Sequence, residues 1–276
     1  MYSQSPSRPP EVKSGGQNFN INQTTDKHMS TATDNLKRDF CKCVERAARH
    51  RRQSEVFADM VRAMSLSVEG ATLIHADTLA DIEREYAEIR EHYTADEFAE
   101  FPKALALTVA ALEAAREDFL GHALEALGAS NTKNGQFLTP VCVSRMMAAC
   151  LYPEVDGYAP GQIVKLNDPA CGTSVLLIEG AERLISKGVR QGDLFVVAGD
   201  IDLRACDASY VQLSLLGYPA IVQHADALAM NRLSRDRYTP GYFLHRFPMR
   251  RGTFAPDAEA ETTSCGAPQQ MELFAS

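Results

Sequence analysis

At 276 residues the chain has room for one large domain or two modest ones, and its 45% hydrophobic and 23% charged residues are the balance of an ordinary globular protein. No apolar run approaches the roughly 18–20 residues of a membrane span, and the polar first thirty residues hold no signal-peptide core, so a cytoplasmic protein with no membrane partner is expected. A net charge of −8 weighs against a protein that coats DNA, although it leaves room for local basic surfaces.

Residues 1 to about 33 are rich in Ser, Pro, Gly, Asn, Gln and Thr, lack apolar periodicity, and are expected to be a disordered tail. From Asp34 to about residue 130 the period turns helical: Leu36, Phe40 and Val44, then Val56, Met60 and Met64, then Ile82, Tyr86 and Ile89 recur at helical spacing. Leu105, Val109, Leu112, Phe119, Leu120, Ala123, Leu124 and Leu127 mark one or two further helices, stopped by the Gly/Asn/Ser-rich stretch from Gly128 to Gly135. The seven cysteines are scattered; Cys41 and Cys43 form a C-x-C pair, but no second Cys/His pair stands at zinc-site spacing, so free thiols and no metal are expected. The basic stretch Lys37–Arg52 reads either as a phosphate-contacting surface or as a solvated helix face.

The period changes in the second half, expected to be a core over residues 131–250. Ile163 to Leu166 is a short strand-like run ending at Asn167-Asp168-Pro169, followed by a helix over about Ser174–Lys187. Leu194 to Ala198 is a second run, ending in Gly199-Asp200-Ile201-Asp202, with a helix over about Leu203–Leu216 behind it. Ala220 to Gln223 is a third, ending in His224-Ala225-Asp226. Strand, helix, strand, helix, strand, each strand closed by a carboxylate, predicts an α/β fold built on a parallel βαβαβ unit, whose ligands bind at the carboxyl ends of the strands.

The acids lie at those ends. In the turn after the first strand, Gly172 lets backbone approach a ligand, Ala170, Thr173 and Ser174 are small, and the helix that opens there presents free N–H groups suited to a carboxylate such as that of a methionine moiety. Asp200 is placed to accept from both hydroxyls of a ribose, and Asp226 from an adenine amino group. Each acid taken alone also fits a helix N-cap; three in register describe an adenosine-shaped site. His224 has no partner at a recognisable spacing and reads as a packed or solvated side chain. The G-x-G-x-x-G dinucleotide fingerprint is missing, which argues against a nicotinamide dehydrogenase.

These residues resemble a family. Asp168 to Gly172, DPACG, resembles motif I of the N6-adenine DNA methyltransferases, specifically the modification subunits of type I restriction–modification systems, with Thr173-Ser174 in place of the usual Ser-Gly. Gly135 to Pro140, with Gln136, Phe137, Thr139 and Pro140, resembles the family's GQFFTP segment, and Asp118 to Gly121 its preceding helix. Gly199 to Asp202 looks like its ribose-binding turn and Ala225 to Leu228 like its adenine-binding turn. The resemblance covers about residues 116–230. It implies a Rossmann-like core using S-adenosyl-L-methionine (SAM), held by Gln136, Phe137, Thr139, Pro140, Asp168, Pro169, Ala170, Gly172, Thr173, Asp200, Ile201 and Asp226, and preceded by an all-helical region. It further implies methylation of adenine in DNA, with neither a metal nor a covalent nucleophile, and a specificity or completing subunit as partner.

The family's catalytic tetrapeptide, Asn/Asp-Pro-Pro-Tyr/Phe, is not found; the nearest candidate is Thr239-Pro240-Gly241-Tyr242, so Thr239, Pro240 and Tyr242 stand as a degenerate catalytic motif. No apolar strand precedes it, the basic stretch Arg235–Arg251 follows as a phosphate contact or a tail, and from Gly252 the chain reads as a flexible tail in which the last strands of a full methyltransferase sheet are missing. Two readings stay open: a DNA adenine methyltransferase completed by another chain or using the degenerate motif, and a SAM-binding regulatory module without catalysis. In the tail, Gln270 to Phe274 resembles the short peptide by which replication and repair proteins bind the sliding clamp, against the alternative of a plain disordered terminus.

Overall fold

The computed structural model describes residues 21–72, 76–128, 139–155, 157–245 and 247. The expected cofactor contacts Gln136 and Phe137 and the clamp-like peptide Gln270–Phe274 lie outside them.

The first half is helical. Helices α1 (Ile21–Ala47), α2 (Gln53–Thr72), α3 (Ala76–Glu91), the single turn α4 (Ala95–Phe98), α5 (Glu100–Ala114) and α6 (Phe119–Ala126) follow one another. The expected stripes point inward: Phe40, Val44, Val56, Met60, Met64 and Ile82 are all buried. Helix α1 starts at Ile21, so the polar stretch expected to be disordered up to about residue 33 is already helical over its last third. That segment carries no apolar stripe to announce a helix, and helical backbone does not require one where the helix continues from a packed portion.

Helix α7 (Val141–Leu151) leads into the sheet half, which alternates β1 (Val164–Asp168), α8 (Val175–Ser186), β2 (Leu194–Asp200), α9 (Leu203–Leu215) and β3 (Ala220–Asp226). Strands β1, β2 and β3 are parallel neighbours, with Asp168 opposite Ala198 and Asp200 opposite His224. Two short strands, β4 (Asn231–Arg232) and β5 (Arg237–Tyr238), then turn back antiparallel on β3, and helix α10 (Pro240–Leu244) follows. The chain is thus mixed α/β, with a helical N-terminal region and a mostly parallel sheet, an arrangement compatible with a methyltransferase fold. Among the described residues no helix is long and apolar enough to cross a membrane.

Strand alternation sorts the sheet into two unlike faces. Leu166, Leu194, Val196, Ala198, Ala220 and Val222 join the main core with α8 and α9. Phe195 and Ile221 face the other way, where Tyr238, Tyr242 and Phe247 cover only the amino-end half of the sheet. Among the described residues β1 is an edge strand, the order being β1-β2-β3-β4.

Helix α2 packs on α9, which ties the halves together. At the seam Asp207 is buried and takes Nη1 of Arg237 at 2.5 Å and Nη1 of Arg62 at 2.9 Å, while Arg62 also pairs with Glu85 and Arg235 with buried Glu69. The guanidinium of Arg237 further lies 5.0 Å from the ring centre of Tyr210. Three cations meet three carboxylates, so little net charge is buried. Truncating Asp207 leaves the buried guanidinium of Arg237 without a carboxylate and Arg62 with Glu85 alone, so Asp207→Ala is expected to lower unfolding free energy by about 3–5 kcal/mol in urea titrations.

Candidate functional site

The turn between β1 and α8 is held from three sides. The amide of Cys171 donates to the Gly199 carbonyl at 2.8 Å, and the amide of Gly172 donates to Oδ2 of Asp200 at 2.9 Å, fastening the turn to the end of β2. From α9, the Ser209 hydroxyl donates to the Gly172 carbonyl at 2.8 Å and accepts from the Ser174 hydroxyl at 2.8 Å. From α6, Asp118 accepts from the Thr173 hydroxyl at 2.5 Å.

Asp118 is the unexpected centre of this arrangement. It caps α6 by accepting from the Gly121 amide at 2.9 Å, and its Oδ1 also accepts from Nε2 of Gln212 at 2.9 Å. Gln212 is fully buried, donates again to the Thr173 carbonyl at 2.8 Å and accepts from the Leu120 amide at 3.0 Å. A Cβ on Gly121 would stand 2.1 Å from Oδ2 of Asp118 and 2.6 Å from Oγ1 of Thr173, so only glycine allows this approach. Burial pushes the Asp118 carboxyl above the usual aspartate range, against the three donors that favour its charged form.

Two residues of the turn have left-handed backbones. Gly172 has φ +55° and no atom within 4 Å of where a Cβ would stand, leaving open space beside its backbone. Ser174 has φ 77°, unusual for a residue with a side chain. It occupies the position where the resembling family carries glycine, and its buried hydroxyl bond to Ser209 offsets the cost.

The expected acids reach the strand ends, and each first serves its own turn. Asp168 accepts from the Ala170 amide at 3.0 Å. Asp200 accepts from the Asp202 amide at 2.9 Å through Oδ1 and from Gly172 through Oδ2. Asp226 accepts from the Leu228 and Ala229 amides at 2.9 and 3.0 Å, both through Oδ1. Oδ2 of Asp168 and of Asp226 have no partner among the described residues, and every carboxylate oxygen accepts up to two bonds, so capacity remains for a ligand. Pro169 and Ala170 are exposed on the turn, and Ile201 is exposed beyond β2. Thr173 is not: it is 4% exposed and committed to Asp118, behind the turn. Thr139 and Pro140 lead into α7, which packs beside α8. His224 is occupied structurally, its Nε2 lying 3.1 Å from the Ile201 carbonyl.

A cavity of about 240 Å³ opens at these ends, between Pro169, Gly199, Gln223, Asp226, Met230 and Asn231. Sequence reasoning singled out only Pro169 and Asp226 as ligand contacts among these. The signal for Gln223 was available, an amide in an otherwise apolar strand. The two-residue strand β4, which brings Asn231 over the cavity, has no such signal.

Thr239, Pro240 and Tyr242 stand elsewhere. The Thr239 hydroxyl donates to the Tyr218 carbonyl at 2.6 Å and accepts from the Ala220 amide at 2.9 Å, at the amino end of β3. Pro240 opens α10 at its first turn, and Tyr242 is buried among Phe195, Tyr238 and Phe247. At about 3.3 Å per residue the length of β3, some 20 Å, separates Thr239 from Asp226. The expectation that these residues hold a base beside the acids is therefore corrected: Thr-Pro is the cap and first residue of a short helix. In the basic stretches, Lys37, Lys42, Arg46 and Arg51 pair with Asp34, Asp39, Glu100 and Asp59, and Arg235 and Arg237 with Glu69 and Asp207, while Arg246, Arg250 and Arg251 lie outside the described residues.

Burial pushes the Cys171 thiol up to about 12, so the cysteine in the turn is a neutral packing group and not a nucleophile.

Residues 115–231 match the family model described as N-6 DNA Methylase. The match spans Asp118, the turn and all three strand ends, and it supports a DNA methyltransferase domain. No curated protein matches the chain.

Two predictions concern the turn. The raised Asp118 value means that the fold favours its protonated form. That contribution is complete below the ordinary aspartate value and is lost as pH rises through the raised one. Relative to Asp118→Asn, the wild type should therefore lose stability as pH rises above about 4, the ordinary aspartate value, read by denaturant titration across pH. Ser174→Gly, which trades a hydroxyl bond for a relaxed backbone, should change stability by less than about 0.5 kcal/mol, whereas Ser174→Ala should cost about 1–2 kcal/mol in the same assay.

Proposed function

We propose that the carboxyl-end cavity is a SAM site on a Rossmann-like core and that the chain serves N6-adenine methylation of DNA as a modification subunit of the type I class. The observation that carries the reading is the turn from Asp168 to Ser174, folded so that Gly172 leaves open space beside α8 and its amide engages Asp200. The residues fit the group chemically. The α8 N-terminus has no side-chain cap and suits the methionine carboxylate. Asp200 stands where a ribose would offer two hydroxyls, and Asp226 keeps Oδ2 for an amino group. When bound, SAM supplies an electrophilic methyl group on a sulfonium. The work of this chain is then to bind and orient, through backbone amides and strand-end acids fixed by the core.

A second reading has one observation in its favour. Thr239, Pro240 and Tyr242 are consumed in packing at the far end of the sheet, so this chain would hold SAM while a partner subunit supplies the groups that receive the flipped adenine. DNA contact, a specificity or completing subunit and a clamp contact through Gln270–Phe274 belong to this proposal.

Titration calorimetry with SAM is the test, with Asp200→Ala as control. Wild-type binding that falls at least about tenfold in the mutant supports the site, one or two hydrogen bonds being worth that much. Absence of wild-type binding overturns it. Transfer of labelled methyl groups to DNA by the chain alone would overturn the second reading.

A further inference from the structure

The cavity has a wall that the SAM reading leaves unused. Gln223 projects from β3 opposite Gly199 of β2, and both line the cavity with Pro169. A Cβ on Gly199 would stand 3.3 Å from the Cα of Pro169, so the turn after β1 packs directly on β2 there and Gln223 supplies the polar side chain of this wall. The amide of Gln223 is held from behind: its Nε2 donates to Oδ2 of Asp236 at 3.2 Å, and the other oxygen of Asp236 is gripped by Arg232, whose strand β4 pairs with β3.

We propose that Gln223 is a specificity residue, selecting a 6-aminopurine ring in this cavity, and that Asp236 is the positioning residue that fixes its orientation. The proposal rests on the SAM reading of the cavity and names how the adenine end would be read. An amide side chain has two faces of opposite polarity and, left alone, turns either one to a ligand. Asp236, an acceptor only, takes the NH₂ end. The Gln223 oxygen, which has no partner among the described residues, is thereby the end left for the cavity. An oxygen accepts from the exocyclic amino group of adenine and repels the 6-oxo group of hypoxanthine. The remaining Nε2 hydrogen is free to reach a ring nitrogen, as amide side chains do when they read adenine. Met230, 92% exposed at φ 52° and lining the same cavity, gives the ring an apolar surface beside this polar edge.

The test is calorimetry on the full chain with S-adenosylhomocysteine and S-inosylhomocysteine, read as the ratio of the two affinities. Wild type is expected to favour the adenosyl ligand by at least about tenfold. Gln223→Met, similar in volume and without hydrogen-bonding ends, should lower the ratio at least about threefold, the discrimination that remains being that of Asp226. Asp236→Asn leaves Gln223 in place but accepts either end of its amide, so the ratio should fall through tighter inosyl binding. If Gln223→Met does not fold, Asp236→Asn decides alone. Equal wild-type affinities, or an unchanged ratio in the variants, overturn the subsite and leave the SAM reading standing. Wild type that binds neither ligand overturns the SAM reading itself.

Discussion

A buried carboxylate with no charge partner joins the two halves of this molecule. Asp118 sits at the start of a helix in the first half, yet two of its three donors, Thr173 and Gln212, belong to the sheet half. Its burial is costly, and hydrogen bonds are its chief compensation. The turn between β1 and α8 is therefore held from behind, by α6 and α9, as well as by the end of β2. Gly121 and Gln212 follow from the same constraint: one has no side chain because the carboxylate needs the room, the other satisfies every polar atom it brings into the core.

The sheet divides labour along its length. At its amino end the face away from α8 and α9 is closed by Phe195, Tyr242 and Phe247. At its carboxyl end the same face changes character, from aromatic residues to Asn167, Gly199 and Gln223, and the cavity begins where the aromatic cover stops. The inward-facing arginines extend this economy. Arg235 and Arg237 spend their charge on α2 and α9, so cations that look available for phosphate in the sequence instead hold the hairpin β4–β5 against the helical half.

Much of this was legible from residues and spacing. The three strands, the helices behind them and the acids at their ends follow from short apolar runs punctuated by Gly, Pro and Asp, which act locally. What was not legible is what acts at a distance. Nothing near Arg237 announces Asp207 or Ser65, and nothing near Thr239 announces that its hydroxyl is needed at Ala220. The Thr-Pro-Gly-Tyr run resembles a base-binding motif only while its place in the sheet is unknown. The strand-end acids were correctly placed, but their double duty was not visible. Each accepts from its own turn, and none caps a helix: the N-caps of α8 and α9 are Ser174 and Asp202.

The edge position of β1 has a bearing on solubility. An unpaired strand edge is a template on which another chain can add, and proteins commonly guard such edges with charge. Here the middle of that edge strand carries exposed Lys165, with exposed Asn167 two residues on, pointing to the same side. A strand arriving at this edge must accommodate two polar side chains on one face, which an apolar segment does poorly. Two polar residues thus set the terms on which the sheet can grow.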